Sequence, residues 1–129
     1  MASLRTFSGI IKKYQGNGRQ LGYPTANIEL KAKAPNGIYL AYAVLDENSQ
    51  KLPALVFIGA PVTLGDQLQR IETHILDYPD EDLYDRQIMI SLIRKLRDNQ
   101  KFDTIEALKD QMKQDEIAAR AYFKLSVKL

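Results

Sequence analysis

Apolar and polar residues alternate, or apolar residues run together, over the length of a β-strand at five places in the chain. Turn-forming residues such as Pro35-Asn36-Gly37 and Gly65-Asp66 separate these places. The five predicted strands are residues 6–14, 38–45, 52–58, 70–78 and 87–96. Short strands at regular spacing favour a small antiparallel barrel or sandwich over a parallel α/β sheet.

The pattern changes after Phe102. Asp103 and Glu106 form a pair that resembles a helix capping box, and apolar residues then recur at helical spacing to about Tyr122. One amphipathic helix is therefore predicted over about residues 103–122, with Met112 packing against the sheet. Together, the two patterns predict a mainly β domain with one C-terminal helix.

Length and composition limit the class of protein. The chain has 129 residues, which fits one domain. Its longest mostly apolar run, residues 52–64, is too short and too interrupted to cross a bilayer, and residues 1–5 lack the apolar core of a secretory signal. The absence of cysteine excludes disulfides and thiolate chemistry. We therefore expect a cytoplasmic protein, a monomer, with no membrane partner.

The charge pattern argues against a nucleic-acid partner. The formal net charge is +2, and the only local concentrations of basic residues are Lys12-Lys13 and residues 94–97. A protein that binds nucleic acid would be expected to show a basic stripe or interleaved aromatic and basic residues. The mild positive charge instead favours the approach of an anionic nucleotide.

The loop at residues 16–19 has the composition of a phosphate site. Gly16 and Gly18 allow backbone amides to approach an anion, and Arg19 adds a fixed positive charge with several donors. A simple hairpin turn at Gly16-Asn17-Gly18 is the alternative interpretation of the glycines.

The next part of the loop has the composition of a magnesium site. Pro24 fixes one φ angle, so Thr25 and Asn27 are expected in an extended segment with their side chains on the same side. A hydroxyl and an amide oxygen are hard donors that suit Mg²⁺, which completes its octahedron with water and phosphate oxygens. A loop with a local side-chain hydrogen bond is the alternative.

A carboxylate stands in the otherwise mostly apolar strand 70–78. Alternation places Glu72 and His74 on one face, with Thr73 and Ile75 on the other. A carboxylate there is costly unless it has a partner or a task, so a salt-bridged residue and a catalytic residue both stay open. His74, the only histidine, is interpreted as structural or as part of a nucleotide pocket, because zinc ligands and a serine-hydrolase motif are missing.

The loop at residues 16–27 is similar to the signature of the riboflavin kinase family, whose members phosphorylate riboflavin to FMN. Further matching segments follow in family order over about residues 9–119. They are residues 35–39, 57–59, 72–78, 82–84 and 96–103. The resemblance implies a six-stranded antiparallel Greek-key barrel over about residues 4–100, with the helix packed alongside, as a single domain over residues 1–129.

The resemblance also implies roles for particular residues. Glu72 would be the catalytic base toward the ribityl 5′-hydroxyl of riboflavin, with ATP as co-substrate and Mg²⁺ as cofactor. The implied nucleotide-binding residues are Gly16, Gly18, Arg19, Pro24, Ile75, Asp77 and Tyr84; the implied metal ligands are Thr25 and Asn27; and the implied flavin-binding residues are Arg97 and Phe102.

Two segments depart from the family pattern. Residues 59–64 lack the usual Pro-Thr-Phe-like segment, and Tyr84-Asp85 replaces a Tyr-Gly turn, which disfavours positive φ at that position. A non-catalytic flavin- or nucleotide-binding barrel is the alternative function, and an oligonucleotide-binding barrel rests on fold analogy alone. Because many bacterial homologues fuse this module to an FMN adenylyltransferase, the chain is either a stand-alone kinase or one domain of a longer protein.

Overall fold

The computed structural model describes residues 5–12, 23–30, 34–46, 50–59, 69–79 and 81–126. Within these ranges the chain forms six β-strands and one α-helix. The strands are β1 (Thr6–Ile10), β2 (Ala26–Leu30), β3 (Gly37–Leu45), β4 (Leu52–Gly59), β5 (Gln69–Ile75) and β6 (Gln87–Arg97), and the helix is α1 (Ile105–Phe123).

The strands form one antiparallel sheet in the order β1-β6-β3-β4-β5-β2. Strands β3, β4 and β5 are consecutive neighbours, and β6 returns to lie beside β3, which is the Greek-key arrangement. The two outer strands approach each other where the Lys12 amide donates to the Asn27 carbonyl at 2.8 Å. The sheet therefore nearly closes into a barrel, and the predicted fold class is confirmed.

The barrel interior is filled by aliphatic side chains. Because residues alternate between the two faces of a strand, each strand contributes every second residue to this core. Fully buried members include Ile28, Val56, Ile58, Ile71 and Ile88. Burial of one such isoleucine stabilises the fold by about 1.5–3 kcal/mol.

Helix α1 covers part of the outer face of the barrel. Its N-cap is Thr104, whose Oγ1 accepts a hydrogen bond from the Ala107 amide at 3.0 Å. The predicted cap at Asp103 is therefore wrong by one residue, because the extended backbone of Thr104 aims its own hydroxyl at the first turn. Leu40, Leu55, Leu76 and Ala119 form a second apolar cluster between the sheet and the helix.

The strand boundaries differ most from the prediction at β1, β2 and β5. Strand β1 ends at Ile10, inside the predicted range of residues 6–14. Strand β2 was expected only as an extended segment around Asn27, because its five residues are too few to show a clear alternation. Strand β5 ends at Ile75, three residues before the predicted end at Tyr78, since Asp77 adopts a positive φ of 56° that breaks the strand.

Candidate active site

Strands β2 and β5 place Asn27 directly opposite Glu72. Opposite residues of an antiparallel pair project to the same face of the sheet, so the amide of Asn27 and the carboxylate of Glu72 are neighbours there. Thr73 and Ile75 are buried on the other face, at 1% and 7% exposure. The predicted alternation along β5 is confirmed.

The amide oxygen of this pair lacks a hydrogen-bond partner within the described part of the chain. Asn27 is buried, and its Oδ1 accepts no hydrogen bond there. Burial raises the pKa of the Glu72 carboxyl above its ordinary value of 4.5, while the positive charge of Arg70 opposes that rise. A buried oxygen without a partner is costly, so the Asn27–Glu72 pair is a place where a bound cation or hydroxyl would be stabilised.

The same row of the sheet continues from Glu72 to Arg97. Glu72 lies opposite Phe57, Phe57 opposite Ile38, and Ile38 opposite Arg97. Three strand spacings separate Glu72 from Arg97, or about 14 Å. Only a long ligand could touch both residues.

Of the two predicted flavin residues, Arg97 lies at this end of the row, and Phe102 lies in the segment that joins β6 to α1. Arg97 donates to both carboxylate oxygens of Asp115 on α1, at 2.9 and 2.8 Å, and to the Asp98 carbonyl at 3.0 Å. Phe102 is half-buried between β6 and the helix. Arg97 therefore has a structural task, because it joins β6 to α1.

A cavity of about 400 Å³ opens at the end of the barrel, beside the Asn27–Glu72 pair. The start of β2, the end of β5 and residues 78–79 and 81–84 line this cavity. Four predicted site residues, Pro24, Thr25, Ile75 and Tyr84, are brought together in it. Thr25 and His74, which also line it, each stand two residues from a member of the pair. Neither Asn27 nor Glu72 lines the cavity, so the pair is linked to it through the adjacent residues of β2 and β5.

Three predicted phosphate-binding residues, Gly16, Gly18 and Arg19, lie outside the described residues, as does most of the departing segment 59–64. The second departure from the family pattern, Tyr84-Asp85 in place of a Tyr-Gly turn, has a backbone conformation different from the expected one. Asp85 adopts a φ of 67°, and its amide donates to the Ile11 carbonyl at 3.0 Å. The expectation that losing the glycine disfavours a positive φ here is therefore wrong, because aspartate tolerates the left-handed region.

Sequence reasoning left the task of His74 open, and it missed Tyr23. The Nδ1 atom of His74 lies 2.8 Å from the Pro24 carbonyl oxygen, and because a carbonyl only accepts, Nδ1 carries the hydrogen. The ring of Tyr23 meets the His74 ring edge-on, with the centroids 5.3 Å apart. His74 is therefore both a structural residue and a lining residue of the cavity.

Sequence reasoning also missed a network of charged groups on α1. Glu116 accepts from the Tyr23 hydroxyl at 2.9 Å and from Arg120 Nε at 2.8 Å. Arg120 also donates to both carboxylate oxygens of Asp77, at 2.7 and 3.1 Å. The only local signal was the spacing of four residues between Glu116 and Arg120, which is common on exposed helix faces.

The network changes the proton affinity of its members. Burial and then the hydrogen bond to Glu116 raise the pKa of Tyr23 to about 12. The hydrogen bonds to Asp77 raise the pKa of Arg120, against the effect of burial. Tyr23 therefore remains a hydrogen-bond donor and Arg120 a cation across the physiological range.

The stability of the protein should fall as the pH drops below 6.5. Burial lowers the pKa of His74 below its ordinary value of 6.5, so the unfolded chain takes up this proton first. The contribution of neutral His74 is complete above pH 6.5 and is lost as the pH falls through the lower pKa of the folded state. Urea unfolding from pH 8 to about pH 5 measures how the free energy of unfolding depends on pH. In the His74→Gln variant, the free energy of unfolding should change less over this range. An unchanged slope in that variant would contradict this expectation.

The described residues contain no group of three or more His, Cys, Asp or Glu side chains that could hold a metal ion. No helix among them is sufficiently long and apolar to span a membrane. The predicted metal ligands, Thr25 and Asn27, both lie within the described part of the chain.

A nearly closed Greek-key barrel with one helix packed on its outer face defines the class of small antiparallel β-barrel domains. A family model described as riboflavin kinase matches residues 3–123, and the chain belongs to the riboflavin kinase family. It is 38% identical over 111 residues to a bifunctional riboflavin kinase/FMN adenylyltransferase of Escherichia coli strain K12, covering 84% of this chain and 35% of the relative. The chain therefore spans about a third of the length of that relative.

Two solved structures share the fold. A macrolide-efflux protein from Streptococcus pneumoniae superposes with a TM-score of 0.79 at 31% identity, covering 91% of this chain and 38% of the other. A riboflavin kinase from Trypanosoma brucei superposes with a TM-score of 0.69 at 21% identity, covering 92% of this chain and 79% of the other. The second likeness supports the barrel fold alone.

Proposed function

We propose that this domain transfers the γ-phosphoryl group of ATP to the ribityl 5′-hydroxyl of riboflavin and so produces FMN and ADP. The observation that carries the proposal is the pairing of Glu72 with Asn27 beside the end cavity, in a chain of the riboflavin kinase family. In the reaction, the hydroxyl oxygen bonds to the γ-phosphorus, and the bond from that phosphorus to the ADP oxygen breaks.

Glu72 is proposed as the general base. Its carboxylate accepts the proton of the 5′-hydroxyl as that oxygen attacks. The raised pKa makes Glu72 a stronger base than an exposed glutamate, and it accepts no hydrogen bond from the described part of the chain that would compete for its lone pairs.

Thr25 and Asn27 are proposed as the magnesium ligands. The unpartnered, buried Oδ1 of Asn27 fits this task, since it is a hard oxygen donor beside a carboxylate, and the Thr25 hydroxyl is two residues away. When bound, Mg²⁺ supplies charge neutralisation for the phosphate oxygens. The two side chains fix where the phosphates lie relative to Glu72.

The nucleotide is proposed to occupy the end cavity. Pro24, Ile75 and Tyr84 offer apolar and aromatic surface to the adenosine part. Asp77 does not line the cavity, and Arg120 holds its carboxylate, so a nucleotide contact of Asp77 rests on the family resemblance alone. Gly16, Gly18 and Arg19 are proposed to hold the phosphates through backbone amides and a guanidinium.

Riboflavin is proposed to extend from Glu72 along the outer face of the sheet toward Arg97 and Phe102. The separation of about 14 Å between Glu72 and Arg97 suits a ligand that has a ring system at the end of a chain. The Phe102 ring supplies a stacking surface for that ring system. Because Asp115 already holds Arg97, this arginine would meet only the polar edge of the flavin.

We further propose that the domain acts as a cytoplasmic monomer on small molecules, without nucleic acid. The small net charge and the dispersed basic residues support this assignment. Size-exclusion chromatography combined with light scattering measures the oligomeric state directly.

The purified protein should convert riboflavin to FMN when it is incubated with ATP and Mg²⁺. FMN is separated from riboflavin by chromatography over a time course, with parallel reactions that contain EDTA or the Glu72→Gln variant. A linear increase of FMN that EDTA abolishes supports the proposal. Tight flavin binding without an increase of FMN above the variant would instead identify a non-catalytic binding barrel.

A further inference from the structure

The backbone ladder between β2 and β5 ends at Ala26, the residue that follows Thr25 in the chain. Ala26 pairs with Thr73, and the next residues toward the N-terminus are outside the strand. Pro24 has no N–H with which to continue the ladder. The position of Thr25 must therefore be fixed by something other than regular strand pairing.

Side chains hold the segment before Thr25 instead. His74 donates from Nδ1 to the Pro24 carbonyl at 2.8 Å, which ties this segment to β5. Tyr23 packs its ring edge-on against His74 and donates its hydroxyl to Glu116 on α1 at 2.9 Å. Thr25 thus lies between the last ladder pair and a set of side-chain contacts.

The helix holds the end of β5 through the same group of residues. Arg120 links Glu116 to Asp77, which lies two residues after the end of β5. The side chains of Arg120 and Glu116 are only 4% and 11% exposed, so their hydrogen bonds are shielded from water and are stronger for that reason. We call Tyr23, His74, Asp77, Glu116 and Arg120 the helix clamp.

We propose that the helix clamp fixes Thr25 relative to Glu72, and that Tyr23, Glu116 and Arg120 are positioning residues for the nucleotide and metal side of the site. This inference rests on the proposed function. Phosphoryl transfer depends on placing the phosphates to within a fraction of an ångström of the attacking group, and that placement requires a rigid support.

The clamp is not needed to keep the helix on the barrel. Arg97 and Asp115 form a separate bidentate ion pair between β6 and α1. The apolar cluster that contains Leu40, Leu55 and Ala119 also joins the helix to the sheet. Loss of the Tyr23 hydroxyl should therefore loosen the segment before Thr25 while α1 stays docked.

Tyr23→Phe tests the proposal, because it removes the donor to Glu116 and keeps the ring that packs on His74. The KM for ATP and the Mg²⁺ concentration for half-maximal rate should each rise about tenfold, as expected for one lost hydrogen bond to a charged group. The KM for riboflavin should stay within about twofold. The matched control is Tyr122→Phe, which removes a hydroxyl from an exposed position on α1. This variant should change neither KM value nor the Mg²⁺ dependence.

Amide hydrogen exchange of residues 23–27 supplies a readout that does not require activity. Tyr23→Phe should accelerate exchange in this segment about tenfold, and Tyr122→Phe should not. The proposal is supported if exchange is faster and if the KM for ATP and the Mg²⁺ concentration for half-maximal rate rise while the KM for riboflavin does not. Equal changes in both KM values, unchanged kinetics, or unchanged exchange would overturn it. If the wild-type protein makes no FMN, the proposed function fails, and the exchange result alone then decides whether the clamp holds this segment.

Discussion

Replacing Glu72 by glutamine is expected to lower kcat for FMN formation by about 10²- to 10⁴-fold, the range typical for loss of a general base. Glutamine has nearly the same shape and cannot accept the proton of the attacking hydroxyl. Binding of MgATP should persist, because Asn27 and the lining residues of the cavity are unchanged. Steady-state kinetics and a separate titration of nucleotide binding measure both effects.

The same substitution should preserve or increase the stability of the fold at neutral pH. Burial raises the pKa of Glu72 in the folded protein, so its stabilising contribution is complete below pH 4.5 and is lost as the pH rises through the folded pKa. Glutamine does not titrate, so the variant should lack this loss. Urea unfolding at about pH 4 and at pH 7 compares the two proteins.

The control for Glu72→Gln is Glu106→Gln, which neutralises an exposed carboxylate in the first turn of α1. It should leave kcat unchanged. The rate of the wild-type protein should also decline as acid protonates Glu72, with a midpoint above pH 4.5. A Glu72→Gln variant with near-normal kcat would refute the assignment of this residue as the base.

Replacing Arg120 by methionine is expected to destabilise the fold by about 3 kcal/mol, the usual cost of removing one partner of a buried ion pair. Methionine fills similar volume but leaves Glu116 buried beside Tyr23 without its cation. Asp77 contributes less to the cost, because its side chain is 40% exposed and water can solvate it. The midpoint of thermal unfolding should fall by about 10 °C.

Two further variants separate the causes of that loss. The double variant Glu116→Gln and Arg120→Met removes the uncompensated carboxylate and should recover part of the stability. Arg94→Met is the matched control, since Arg94 is exposed and lies 5.5 Å from the centre of the Tyr122 ring, a contact that contributes about 0.5–1 kcal/mol. If Arg120→Met were no more destabilising than Arg94→Met, the buried network would not be a source of stability.

Several features of the site were predictable from local sequence. The alternation that places Glu72 and His74 opposite Thr73 and Ile75 follows from the two-residue period of a strand, which needs no knowledge of the neighbours. The helix was also predictable to within a few residues, because its apolar spacing and its end signals are local. The error of one residue at the cap arose because adjacent residues, Asp103 and Thr104, can both act as caps.

Contacts between distant parts of the chain could not be predicted in this way. The opposition of Asn27 and Glu72 depends on the register of β2 against β5, and a shift of one residue would turn their side chains to different faces. The hydrogen bond from Tyr23 to Glu116 joins residues 93 positions apart, and the one from Arg120 to Asp77 joins residues 43 apart. The hydrogen bond from the Asp85 amide to the Ile11 carbonyl likewise joins distant parts of the chain, beyond the ends of the paired strands β1 and β6.

The sequence by itself determined the mainly β character with one C-terminal helix, the kinds of chemical group available for a phosphate and magnesium site, and the face of β5 that carries Glu72. These features are local, because they depend on residue type and on the period of a strand or a helix. Only the tertiary structure decided that Asn27 lies opposite Glu72 and that Asp115 binds Arg97. It also decided that α1 contacts the segment before Thr25 through the hydrogen bond from Tyr23 to Glu116. Strand register and helix docking are set by packing of the whole core, and residue spacing does not encode that packing.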